Sequence, residues 1–96
     1  MSRSLVESYS AHVRTDPLRT KSFPAGSDAA PALMAARRWV EDQARDFLAG
    51  RSLPKNPWEA GAIFEGEPQG SSGEPVASLS VYTSEDEYVF EWDDET

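Results

Sequence analysis

The sequence predicts an α+β fold: one β-α-β-β-β domain with a mainly antiparallel sheet and one helix packed on a face. Three observations predict it. One stretch repeats apolar residues at spacings of three and four, as a helix does. Several other stretches alternate apolar and polar residues, or are rich in β-forming residues, as strands are. Turn-forming residues separate these stretches, and a chain of 96 residues is typical of a single domain.

The first strand is predicted between Leu5 and Arg14. Its odd-numbered positions are mostly apolar and its even-numbered positions mostly polar, which is the pattern of a half-buried strand. The next segment, 15–26, contains two prolines, a glycine and a basic cluster. We predict that it is a long flexible loop.

The helix is predicted from Asp28 to Ala49, capped by Ser27 or Asp28 and stopped by Gly50. Its apolar stripe consists of Leu33, Ala36, Val40, Ala44 and Phe47. Its charged residues alternate in sign at i,i+4 and are Arg37, Arg38, Glu41, Asp42, Arg45 and Asp46. This charged face is predicted to be solvated and paired with itself.

Three further strands are predicted over 58–65, 76–83 and 88–92, as an antiparallel meander. A flexible connection spans 66–75, and the acidic turn from Ser84 to Glu87 closes a hairpin. Residues 93–96 are predicted to be a frayed acidic tail. We expect the first strand beside a strand of the meander, although the pattern leaves its position open.

Charge is distributed unevenly along the chain. From Asn56 to the end there are eleven Asp and Glu residues and no Lys or Arg, whereas the first 55 residues carry six acidic and nine basic side chains. The acidic residues are interleaved with β-forming residues, so we predict a folded sheet with one sign of charge. Such a surface attracts a basic partner and repels nucleic acid.

The sequence contains little that is typical of catalysis or cofactor binding. The absence of cysteine excludes disulfides, thiolate nucleophiles and the commonest structural zinc sites. The one histidine, His12, is predicted to face solvent from the polar side of the first strand. The acidic clusters lack the spacing of a calcium loop, and the glycines of 66–73 lack the lysine of a phosphate loop. We therefore expect no enzymatic activity, no cofactor and no metal site.

The predicted binding surface is acidic. Its residues are the exposed carboxylates and one tryptophan at the border of the helix's apolar stripe: Glu59, Glu65, Glu85, Asp86, Glu87, Glu91, Asp93, Asp94 and Trp39. The basic residues are too few, or too well matched by neighbouring acids, for direct nucleic-acid binding. No secretory signal or long apolar segment is present, so we expect a cytoplasmic protein that does not bind membranes.

Three stretches carry a resemblance to a known class of proteins. Residues Ser8 to Val13, Asp28 to Ala36, and Ala62 to Val81 resemble the strand, capped Ala-rich helix and Gly-rich hairpin of small phage anti-CRISPR proteins. The resemblance implies a phage or mobile-element inhibitor whose carboxylates take the place of phosphates in a basic channel of a Cas complex. It supplies no functional residues.

Alternative functions stay open at this stage. The same acidic surface suits an immunity protein or antitoxin that neutralises a nuclease toxin. A minor phage structural protein and a hydrolase or metal-dependent enzyme are further alternatives. The sequence does not distinguish a monomer from a dimer.

Overall fold

A five-stranded antiparallel sheet and one helix form the fold in a computed structural model, which describes residues 8–15, 17–24, 29–53, 55–66 and 75–94. The elements are β1 (Ser8–Val13), β2 (Arg19–Pro24), α1 (Ala29–Leu48), β3 (Trp58–Glu65), β4 (Ala77–Ser84) and β5 (Glu87–Asp94). The strand order is β2-β1-β3-β4-β5, and every neighbouring pair is antiparallel. The predicted α+β class, with one helix packed on an antiparallel sheet, is confirmed.

The sheet has one strand more than the sequence predicted. Within the predicted loop 15–26, Arg19–Pro24 forms β2 and pairs with β1 along its whole length. Pro17 precedes the strand, and Pro24 is its last residue at the edge of the sheet, where a missing N–H is tolerated. The mostly exposed, polar residues of β2 give no apolar signal. As a result β1 lies between β2 and β3, which settles its position.

The core lies between α1 and one face of the sheet. Ala36, Val40 and Ala44 of the helix are fully buried against the sheet, where Val13 and Ile63 are also fully buried. The helix ends at Leu48, and Gly50 follows with a φ of 74°, the left-handed stop that was predicted. The predicted caps Ser27 and Asp28 lie outside the described residues.

Two predicted boundaries differ at the C-terminal end. Asp93 and Asp94 were predicted to be frayed, but they belong to β5 and pair with Ser78 and Ala77 of β4. Asp93 and Asp94 therefore extend the hairpin to Ala77, the first residue of β4. Most of the predicted flexible connection 66–75, and residues 95–96, lie outside the described residues.

Part of the charged face of α1 contacts β5 instead of facing only solvent. The Trp92 indole N–H donates to Glu41 Oε2 at 2.5 Å. The Arg45 guanidinium lies 4.5 Å from the Phe90 ring centroid, and the Arg37 guanidinium lies 5.4 Å from that of Trp92. Of the predicted helical pairs, Arg45 and Glu41 form a salt bridge of 3.4 Å. The predicted pairing of Arg45 with Glu41 is therefore confirmed, but Arg37 and Glu41 are half-buried beside the aromatic residues of β5, so the prediction of a solvated face is wrong for these two residues.

Candidate functional site

Four carboxylates share the sheet face that faces away from the helix. Glu59 of β3 pairs with Ser80 of β4, which pairs with Glu91 of β5, so the two glutamates flank one serine in a single row. Residues two apart on a strand share a face, which places Glu87 and Asp93 on the same side as Glu91. We call Glu59, Glu87, Glu91 and Asp93 the acidic face.

The acidic face is open to solvent, and strand geometry sets the distances between its residues. All four of its residues are exposed. Glu91 and Asp93 are separated by two residues of strand, about 6.8 Å, and Glu59 and Glu91 by two strand spacings, about 10 Å. Among the described residues the salt bridges are Arg19 with Asp46 and Arg45 with Glu41, so no described cation neutralises this face.

The turn between β4 and β5 extends the acidic surface beyond the end of the hairpin. Glu85 and Asp86 have φ values of 50° and 66° and are both exposed. Positive φ at both central residues of a two-residue hairpin is the type I′ geometry, which normally selects Asn and Gly. Glu85 and Asp86 thus have a backbone conformation that residues other than glycine adopt with some strain.

Two of the predicted carboxylates lie elsewhere. Glu65 pairs with Tyr9 across β3 and β1, in register with the helix-covered face, and it is not part of the acidic face. The pKa of Tyr9 is raised by burial and, to a smaller extent, by the negative charge of Glu65. Asp94 is the last residue of β5, opposite Ala77.

Trp39, the predicted interface anchor, lies at the other side of the molecule. It is half-buried, and its ring meets that of Phe23 on β2 in an edge-to-face contact, with centroids 6.1 Å apart. An open groove of about 520 Å³ adjoins the two rings. Its lining residues are Lys21, Phe23, Pro31, Met34, Ala35, Arg38, Trp39 and Asp42, and we call it the β2 groove. The acidic face and Trp39 therefore do not form one surface.

Sequence reasoning missed the β2 side of this groove. Lys21 and Phe23 were assigned to a loop, although Arg19, Lys21 and Phe23 alternate with the small residues Thr20 and Ser22. That period of two, with a β-branched Thr20, was the available signal of an edge strand.

The only histidine, His12, lies on the sheet face that is turned away from the helix, which we call the open face. It was predicted to face solvent, but it is partly covered. His12 is half-buried, and its ring contacts Phe64 edge-to-face with centroids 5.3 Å apart. Its Nε2 atom is buried and makes no hydrogen bond to a described residue. Burial lowers the pKa of His12. The buried Ser10, two residues away, donates its hydroxyl to the Gly66 carbonyl.

The described residues show neither a metal-binding cluster nor a membrane-spanning helix. Across the described ranges, no three His, Asp or Glu side chains are grouped closely enough to hold a metal ion. In the same part of the chain, no helix has the length and apolar character needed to span a membrane. No protein-family model, curated protein or solved structure matches this chain.

Proposed function

We propose that the protein is a non-enzymatic inhibitor that binds another protein through its acidic face and the Glu85–Asp86 turn. The proposed target is the basic nucleic-acid-binding channel of a Cas complex, which makes the protein an anti-CRISPR protein of a phage or mobile element, acting in the host cytoplasm. The observation that carries the proposal is the grouping of Glu59, Glu87, Glu91 and Asp93 on one exposed face without a described cation.

The spacing of the acidic face suits the replacement of phosphates. Glu91 and Asp93, two residues apart on one face of β5, are separated by about 6.8 Å. This is comparable to the separation of neighbouring phosphates along a nucleic-acid strand. Because β-strands hold this spacing rigidly, a basic channel that binds phosphates by lysine and arginine finds acceptors at similar intervals.

Long-range attraction follows from the same arrangement. The chain has a formal net charge of −8, and residues 56–96 contain no basic side chain. Such a field raises the association rate with a basic surface and weakens as salt screens it. It also repels nucleic acid, so the protein competes with nucleic acid without binding to it.

Two local observations support a non-enzymatic role. The carboxylates of the acidic face are exposed, whereas a catalytic acid requires a desolvated position to hold its proton at neutral pH. The Ser10 hydroxyl donates to Gly66 rather than to His12, so these two residues do not form the nucleophile–base pair of a hydrolase.

The proposal is tested by competition with nucleic acid. A purified Cas complex from the host is titrated onto labelled target DNA, with and without the protein, and DNA binding is followed by fluorescence anisotropy. We expect inhibition that weakens as salt rises. We also expect a loss of about tenfold or more in the Glu87→Lys/Glu91→Lys variant, because each reversal replaces an attraction with a repulsion.

The matched control is Asp42→Lys/Asp46→Lys, which changes the net charge equally on the helix. Equal losses in both variants, or inhibition that does not depend on salt, would contradict the proposed surface. Affinity capture from a host lysate then identifies the target class. Recovery of a nuclease toxin instead of a Cas protein would retain the acidic-face mechanism and replace the anti-CRISPR assignment with that of an immunity protein.

A further inference from the structure

The outer edge of β2 presents backbone groups that no described strand uses. Ser8 O and Arg14 N of β1 are bonded to Gly66 and Ala60, on the β3 side. Since backbone groups point alternately to the two sides of a strand, residues 9, 11 and 13 of β1 bond to β2. Their partners Phe23, Lys21 and Arg19 thus point back to β1. Thr20 and Ser22 consequently direct their N–H and C=O groups outward.

The β2 groove lies directly beside this edge. Its walls are the Phe23 and Trp39 rings together with Met34, whose side chain is unusually exposed for an apolar residue at 69%. An exposed apolar groove beside unpaired backbone groups is the arrangement to which extended peptides add as a further strand.

The charge of this region is opposite to that of the acidic face. The strand β2 contains two cations and no acidic residue. Lys21 and Arg38, both exposed, line the groove with Asp42 as the only acid among the lining residues. A ligand segment that carries carboxylates is therefore complementary to it.

We propose that the β2 edge and the β2 groove bind an extended, acidic segment of a partner protein as a sixth strand. Cross-strand neighbours define its pattern. The residue opposite Phe23 is aromatic or apolar and enters the groove, and the residue two positions away, opposite Lys21, is Asp or Glu. In an antiparallel addition the aromatic residue comes first and the acid follows at i+2. This site is separate from the acidic face and does not depend on the proposed function.

A partner protein fits this edge better than a second copy of the chain. Four antiparallel pairings separate β2 from β5, so both edges run in the same direction. If the acidic β5 of a second copy joined β2 to form one continuous sheet with both helices on the same face, the two strands would be parallel. Two β2 strands placed edge to edge in an antiparallel pair centred on Thr20 or Lys21 would place Lys21 opposite Arg19 or Lys21 of the other copy.

The test selects from a displayed library of random ten-residue peptides against the immobilised protein, and an enriched peptide is then synthesised for affinity measurement. We expect enrichment of an aromatic residue followed at i+2 by Asp or Glu. Ser22→Pro should weaken binding about tenfold, because it removes one outward N–H. The ladder to β1 is retained, so the circular dichroism spectrum stays that of the wild type. Ser22→Ala, which keeps the N–H, should bind normally.

Two further measurements decide the site and the charge preference. Amide exchange at Thr20 and Ser22 should slow in the complex, and Lys21→Glu/Arg38→Glu should lose about tenfold in affinity for the same peptide. The proposal fails if no pattern is enriched, if the peptide binds Ser22→Pro as tightly as wild type, or if Glu87→Lys/Glu91→Lys abolishes peptide binding. Light scattering can also contradict the proposal. Dimers that form with rising concentration in the wild type and are absent in Ser22→Pro would assign the β2 edge to a second copy and overturn the proposal of a partner segment.

Discussion

The hairpins at the two edges of the sheet differ in what holds them and in what they present. The β1–β2 hairpin lies under the helix, where Val40 and Ala36 are fully buried against a core that includes Val13. The β4–β5 hairpin contributes the fully buried Leu79 and Val81 to the same core, and β5 also meets the helix through polar and cation–π contacts, of which the Trp92–Glu41 hydrogen bond is the shortest. Apolar burial therefore extends from β1 to β4, whereas the acidic residues are concentrated on β5.

The two edges also differ in sign. The edge strand β2 carries Arg19 and Lys21, whereas β5 carries four acidic residues, Glu87, Glu91, Asp93 and Asp94. Charge on an exposed edge prevents the edge-to-edge pairing of like copies. A single sheet can therefore present two edges of opposite charge, because three strands separate β2 from β5.

The largest effect is expected from Gly61→Ala, in the part of the sheet under the helix. A Cβ atom at Gly61 would lie 2.5 Å from the His12 carbonyl oxygen and 2.8 Å from Val40 Cγ1. Neither neighbour can move freely, since one is backbone and the other is core. We expect the free energy of unfolding to fall by about 3 kcal/mol, measured by urea denaturation.

Gly50→Ala is the matched control for this substitution. Gly50 has a φ of 74° and no atom within 4 Å of the added Cβ, so only backbone strain of about 1 kcal/mol is expected. If the two variants lost equal stability, the close approach of helix and sheet at Gly61 would not be the cause.

A smaller effect is expected where the helix meets β5. Trp92→Phe keeps the ring but removes the N–H that donates to Glu41 Oε2, a charge-assisted hydrogen bond. We expect a loss of about 1.5 kcal/mol in urea denaturation. A double-mutant cycle with Glu41→Ala, which removes the acceptor, should recover most of this energy as coupling. Additive losses would mean that the contact does not hold the acidic hairpin to the helix.

The next effect in size has the opposite sign and lies in the acidic turn. Glu85→Asn/Asp86→Gly fits both residues to their positive φ values, so we expect a gain of about 1 kcal/mol in unfolding free energy. The same variant removes two carboxylates and should weaken the inhibition proposed above. Glu85→Gln/Asp86→Asn separates the two effects, because it removes the charges and retains side chains at both positions. A stabilised variant with full inhibition would exclude the turn from the binding surface.

Much of the fold was accessible from the sequence, and the missing parts have physical reasons. The helix and the β4–β5 hairpin were predicted because their apolar residues repeat with a clear period and Gly50 ends the helix. The strand β2 was missed because an edge strand exposed to solvent needs few apolar residues. The row of Glu59 and Glu91 follows only from the strand register, and the contact of Arg45 with Phe90 only from the packing of the helix beside β5.

The smallest effect concerns pH and the half-buried His12 at the centre of the open face. Burial lowers the pKa of His12 below its ordinary value of 6.5, so the unfolded chain binds a proton more readily than the folded one. Its contribution to stability is present above pH 6.5 and is lost as pH falls through the lower pKa of the folded state. By register its neighbours on β2 and β3 are Thr20 and Ala62, neither of which titrates. We therefore expect the melting temperature to fall as pH is lowered from 7.5 to 5.5, and His12→Gln to reduce this slope. An unchanged slope in His12→Gln would show that the pH dependence does not arise at His12.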